Sequence, residues 1–116
     1  MNNQKYLIAG NWKQNGDSKS LIKLVNDFIK LYKKIKPECD ILILPPSIYL
    51  NVILNRLNHH KISRKKISLG SQNISSFQNG AYTGELSVDM TKDYNCTYAL
   101  IGHSERRHVF QEDEKT

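Results

Sequence analysis

The stretch DILILPPSIYLNVILNRL, Asp40 to Leu57, decides the architecture. Asp40–Leu44 is a continuous apolar run too short for a helix, which reads as a strand buried on both faces, the habit of parallel sheets. Pro45 and Pro46 end it, because proline lacks the amide donor that a ladder needs. Ser47 is expected to cap a helix whose apolar side carries Leu50, Ile53, Leu54 and Leu57 at spacings of three and four. A buried strand passing through a proline turn into an amphipathic helix is one β/α unit.

The same unit recurs outward in both directions. Upstream, Tyr6–Ala9 is a short apolar run and Gly10–Asp17 a turn. Ser18 is expected to cap a helix carrying Leu21, Leu24, Val25, Phe28, Tyr32 and Ile35, which Pro37 stops. Downstream, the basic connector His59–Lys66 leads to a strand at Ile67–Gly70. A long polar loop then runs from Ser71 to about Leu86; structureless loops of that length are usually functional. Ser87 caps a short helix around Met90–Tyr94, and Asn95 sits where a left-handed helix end is expected. Tyr98–Ile101 reads as a fourth strand, and His103–Phe110 as the start of a further helix. The order predicts an α/β fold of parallel strands joined by right-handed crossovers, with helices packed outside. An open doubly wound sheet and part of a barrel both satisfy it.

Composition narrows the function classes. Among 116 residues, 39% are hydrophobic and 24% charged, the balance of a globular domain. The longest mostly apolar stretch, Ile41–Leu50, is interrupted by two prolines and falls well short of the roughly 20 residues that cross a bilayer. The start, MNNQKYLIAGN, has no basic segment followed by a long apolar one, so no signal peptide is expected. Cys39 and Cys96 lie far apart, match no metal-ligand spacing, and are expected to be reduced thiols of a cytosolic protein. The net charge of +6 falls mainly on helix surfaces and their flanks, a solvated lysine face. No segment interleaves aromatic and basic residues as an RNA-binding sheet does.

Chemistry in parallel α/β folds gathers beyond the carboxyl ends of the strands. Those positions hold Asn11-Trp12-Lys13 after the first strand, Gln72-Asn73 after the third, and Gly102 to Arg107 after the fourth. Lys13 could bind a phosphate or neutralise an oxyanion, though taken alone it reads as a surface lysine. His103 opens a helix, where unpaired N–H groups disfavour a protonated ring; a purely structural histidine fits as well. Glu105 could pair with Arg106, Arg107 or, across the face, Lys13. The loop segment GAYTGE, Gly80–Glu85, is either a tight turn or a projecting aromatic hook for a partner.

Four ordered segments together carry a resemblance: AGNWKQN (Ala9–Asn15), SQN (Ser71–Asn73), NGAYTGE (Asn79–Glu85) and ALIGHSERRHVF (Ala99–Phe110). The sequence resembles the amino-terminal half of the triosephosphate isomerase family, whose barrel takes about 250 residues. The resemblance implies that residues 1–116 are a single partial domain, strands one to four of a TIM (β/α)8 barrel. It implies Asn11 and Lys13 as the substrate-binding pair, Glu105 as the carboxylate that orders Lys13, and His103 as a neutral electrophile. The family is a standard example of such a neutral histidine, so that role comes with the resemblance. Thr83 and Gln14 are implied as dimer contacts, Thr83 at the tip of a loop that enters the neighbouring subunit. Gln14 stands where methionine is common, and the match fades after Gln111, where glycine is usual.

The implied activity is interconversion of dihydroxyacetone phosphate and glyceraldehyde 3-phosphate in a cytoplasmic homodimer, with no cofactor, metal, nucleic acid or membrane. The catalytic base, a glutamate on the family's sixth strand, has no counterpart here. The chain alone is therefore expected to be inactive, and a non-catalytic half barrel that pairs with itself or with a separate second half is the alternative.

Overall fold

The computed structural model describes residues 5–116; the reading of the amino terminus, where it rests on Met1–Gln4, lies outside them. Four strands, β1 (Leu7–Asn11), β2 (Asp40–Leu44), β3 (Ile67–Ser71) and β4 (Cys96–Ala99), pair in sequence order. All three pairings are parallel. Between them lie α1 (Ser18–Ile35), α2 (Leu50–His59) and α3 (Val88–Asp93), and α4 (Ser104–His108) follows β4. This is the alternating pattern of the first half of a (β/α)8 barrel. Among the described residues no helix is long and apolar enough to cross a membrane.

The ends of α1 show how local chemistry sets its limits. Asp17, not Ser18, is the amino-terminal cap: its Oδ1 accepts from the Ser20 N–H at 2.8 Å, while the Asp17 N–H donates to Ser20 Oγ at 3.1 Å. This reciprocal pair satisfies two amide donors that the helix itself leaves open. At the other end Lys36 takes a left-handed conformation, φ +50°, and donates to Tyr32 O. Ser47 does not cap α2. It opens a single 3-10 turn, Ser47–Tyr49, held by Tyr49 N–H to Pro46 O at 3.0 Å. Pro46 imposes that turn by fixing its own φ, and α2 begins only after it. Ser87 does cap α3, accepting from the Met90 N–H, and Asn95 is left-handed as expected.

The fourth strand begins two residues earlier than its apolar pattern suggests. Pairing starts at Leu69 with Cys96, directly after the left-handed Asn95, and continues through Gly70 with Tyr98. The register slips between Leu69 and Gly70. A Cβ on Gly70 would lie 2.5 Å from Leu44 Cδ2 and 3.1 Å from Tyr98 O, so the glycine permits this close, irregular approach. Ile101, the apolar residue that drew the expected boundary outward, is 80% exposed.

The core lies between the sheet and α1 and α2. It joins Val25 and Ile29 to Ile43, Leu50, Ile53, Leu54, Leu57, Ile67 and Leu69. On α1 the buried stripe is Leu21, Val25 and Ile29, at intervals of four. Leu24 and Ile35, which share the helical period, stand on its outer flank. A two-sided test follows. Leu57→Ala, at a fully buried position, should cost about 2–5 kcal/mol, whereas Leu24→Ala, at a 49% exposed one, should stay within about 0.5 kcal/mol. Urea denaturation followed by circular dichroism reads both; equal losses would contradict this placement of the core.

Candidate active site

Parallel pairing delivers the ends of β1, β3 and β4 to one rim, and hydrogen bonds fix what lies beyond them. β1 and β2 stay in register to Asn11 opposite Leu44, and the next amide, Trp12 N–H, still donates to Leu44 O at 3.0 Å. The chain then turns sharply. Asn11 Oδ1 accepts from the Lys13 N–H at 2.9 Å, a turn that asparagine closes with its own side chain. Lys13 takes φ +53°, a left-handed conformation uncommon for a residue with a Cβ.

Gln72 holds that conformation in place. From the end of β3 its Nε2 donates to Lys13 O at 2.8 Å and to Leu44 O at 2.9 Å. One amide thus ties together three strand ends. Sequence position marks Gln72 as a rim residue, but its bracing task depends on two carbonyls 28 and 59 residues away and has no sequence signature.

On the far side of the rim, β4 leads through Ala99 and Gly102 into α4. Gly102 adopts φ +62°, and its carbonyl accepts from Arg107 Nε at 3.0 Å. His103 is the residue before α4 and caps it, Nδ1 accepting from the Glu105 N–H at 3.1 Å. An N–H aimed at Nδ1 requires a lone pair there, so the proton of the neutral ring sits on Nε2. Glu105 Oε2 also lies 3.7 Å from Nδ1. That approach is an ion pair only for a protonated ring.

Glu105 turns its other oxygen to Lys13, with Nζ to Oε1 at 2.8 Å. Of its three candidate partners the nearest in sequence are engaged elsewhere. Arg106 Nε binds Glu112 Oε1 at 3.1 Å, and Arg107 pairs with Glu114. The hydrogen bond from Lys13 is the main reason the Glu105 carboxyl is held below its ordinary pKa; partial desolvation opposes it, and the charge of Lys13 and the proximity of His103 assist. Both side chains of the pair are about half exposed, so its worth to stability is small.

Asn11, Lys13, Gln72, Asn73, His103 and Glu105 line one cleft of about 570 Å³ with Gln14, Asn15 and Arg106, and Leu100, Val109 and Phe110 supply apolar wall. The structure therefore brings together Asn11, Lys13, Gln14, His103 and Glu105. Thr83 does not line this cleft. It lies exposed in the loop between β3 and α3, whose base is closed by Ser75 N–H to Leu86 O at 2.9 Å. Phe77 and Tyr82 stack within that loop, centroids 4.3 Å apart. Among the described residues no three His, Cys, Asp or Glu side chains converge as metal ligands would. An ammonium, an imidazole N–H and several carboxamides around one concavity suit a small, oxygen-rich anion with a polarisable carbonyl.

Comparison with known proteins gives a consistent match. The family model described as triosephosphate isomerase matches residues 6–116. The triosephosphate isomerase of Marinobacter nauticus is 40% identical over 112 residues, covering 96% of this chain and 42% of that protein. That of Legionella pneumophila strain Lens is 44% identical over 110 residues, covering 93% and 41%. That of Francisella philomiragia is 43% identical over 109 residues, covering 94% and 40%. The chain spans about two fifths of the length of the curated relatives it matches.

The Lys13–Glu105 pair is testable by titration. A carboxyl whose folded pKa is depressed contributes stability above its unfolded pKa and loses it as pH falls through the folded value. The Glu105 contribution should thus be complete at neutral pH and vanish only below the ordinary glutamate range. Carbon-13 NMR of the side-chain carboxyls should place Glu105 lower than an unpaired glutamate, and Lys13→Met should return it upward; an unmoved titration in the variant would show that Lys13 is not the cause.

Proposed function

Because this chain belongs to the triosephosphate isomerase family, we propose that it supplies the electrophilic half of an isomerase site that interconverts dihydroxyacetone phosphate and glyceraldehyde 3-phosphate. The observation that carries this reading is the cleft itself: the Lys13 ammonium and the His103 imidazole face one concavity, with Glu105 touching both. His103, protonated on Nε2, donates to the substrate carbonyl oxygen and then relays a proton between the two oxygens of the enediolate. Lys13 and Asn11 hold the substrate, and the Lys13 charge offsets the negative charge that develops in the transition state. Glu105 keeps the ammonium aimed.

Proton removal from carbon also needs a base. Among the described residues Glu105 is the one carboxylate lining the cleft. It is bound to Lys13 and made less basic by it, so it is a poor proton acceptor. The base must come from outside these 116 residues, from the remainder of a longer protein in which residues 1–116 form one partial domain, strands one to four. In that protein Thr83 and Gln14 make contacts in a cytoplasmic homodimer, the exposed, closed loop around Thr83 reaching the neighbouring subunit. The stacked Phe77 and Tyr82 give that loop a rigid apolar flank, which suits insertion.

A second reading rests on the sheet edges. Among the described residues β1 and β4 each pair on one side only, and unpaired edges invite association. A half barrel that pairs with itself or a separate second half would use them. Light scattering on the purified chain separates the possibilities: a defined dimer supports edge pairing, a folded monomer argues against it.

For the enzymatic reading, the 116-residue chain assayed with glyceraldehyde 3-phosphate should show no turnover, and rates near those of a full-length family member would refute the missing-base argument. In a full-length protein containing these residues, His103→Gln should lower kcat by roughly 10²–10⁴ with KM changed far less. Retained kcat would remove His103 from the chemistry.

A further inference from the structure

The basic excess of this chain is concentrated in one place. Phe28 to Lys66 holds nine lysines and arginines against two carboxylates, while the rest of the chain is close to neutral. Folding gathers part of that excess around a second concavity of about 580 Å³, where the α1–β2 connection meets the α2–β3 connection. This is the amino-terminal end of the strands, opposite the Lys13–His103 rim. Lys33 and Lys36 line it from the end of α1, and Lys61 and Lys66 from the turn after α2, with His60 beside them. Tyr32, Pro37 and Ile62 provide an apolar floor.

The simplest account of these lysines is that they complement the carboxyl ends of α1 and α2. Magnitude argues against that as the whole explanation. Each helix end carries roughly half a negative charge, so two ends balance about one of the four lysines. Among the described residues none of the four is in an ion pair. Glu38 and Asp40, the two carboxylates of the segment, do not line the cavity. His60, beside the lysines, is held below the ordinary histidine pKa by desolvation first and then by the charges of Lys33, His59, Arg56 and Lys30.

We propose that this cavity binds a small soluble anion carrying two or more linked phosphates, such as tripolyphosphate or the phosphate chain of a nucleotide. Four lysines lining one concavity from two connections match several adjacent phosphates better than one. The volume falls in the ordinary range for small-molecule sites. A nucleic-acid polymer would instead require an extended stripe with exposed stacking aromatics, and Tyr32, the one aromatic residue besides the histidine ring, is largely covered.

Two of the lysines allow a clean test. Lys36 and Lys61 occupy left-handed conformations, φ +50° and +57°, which asparagine tolerates well. The double variant Lys36→Asn, Lys61→Asn therefore removes two charges while suiting the backbone. The control Lys19→Gln, Lys92→Gln removes two charges from outside the cavity. Tripolyphosphate and ATP are titrated into each folded chain at low salt by calorimetry, with NMR shifts locating the site. Expected are binding with shifts at His60 and Ile62, at least tenfold weakening in the cavity variant, little change in the control, and marked weakening as salt rises. Tighter binding of ATP than of tripolyphosphate would mean that the apolar floor is used, and equal affinity that the phosphates alone are held. The proposal is overturned by shifts confined to the His103 cleft, by equal loss in both variants, by absence of binding at millimolar ligand, or by binding of single-stranded RNA without tripolyphosphate.

Discussion

Parallel pairing of consecutive strands sends every carboxyl end to the same rim, and the whole candidate site depends on it. Residues 11 to 13, 72 and 73, and 103 to 105 meet because β1, β3 and β4 run in one direction within one ladder. Had one of the three pairings been antiparallel, the Lys13 ammonium and the His103 ring would stand at opposite ends of the sheet. The sheet supplies only coarse placement, however. Fine placement comes from polar side chains that bind main-chain groups: Asn11 to its own turn, Gln72 across two strands, and His103 to the helix it caps. Each spends a functional-looking side chain on shape, which is how a loop rim acquires the rigidity that catalysis demands.

Much of this was legible in the residues. DILIL announced a doubly covered strand, Ser87 and Asn95 marked the limits of α3, and the residues following the first, third and fourth strands named the central polar lining of the cleft but not its apolar wall of Leu100, Val109 and Phe110. The misplacements occur where hydrogen bonding or packing, rather than apolar pattern, makes the choice. Apolarity favoured Tyr98–Ile101 for the last strand, but pairing began at Cys96 because Asn95 turns the chain there. Ser18 looked like a cap, yet Asp17 stood one residue nearer with Ser20 at the reciprocal spacing. The α1 pattern contains more apolar positions than the sheet can cover, and only packing selects Val25 and Ile29 over Leu24. The partner of Glu105 was open among three cations until the distance to Lys13 closed it.

The two ends of the sheet treat positive charge differently. At the carboxyl rim each cation has a counter-ion: Lys13 with Glu105, Arg106 with Glu112, Arg107 with Glu114. These pairs aim side chains while adding little net field. At the opposite end, among the described residues, the lysines lining the second concavity form no ion pair, and their repulsion is relieved by solvent, by helix ends or by a bound anion. Net charge is therefore a poor guide to either end, and its distribution over the fold is the informative quantity.

The left-handed turn at Lys13 carries one more implication. Its backbone is gripped by Asn11 and Gln72 independently of the side chain, and its φ is one that glycine enters freely. The ammonium is thus an appendage on a frame that does not need it. The path of the loop is therefore set by hydrogen bonds to its main chain, and the charge at its tip is a separate choice.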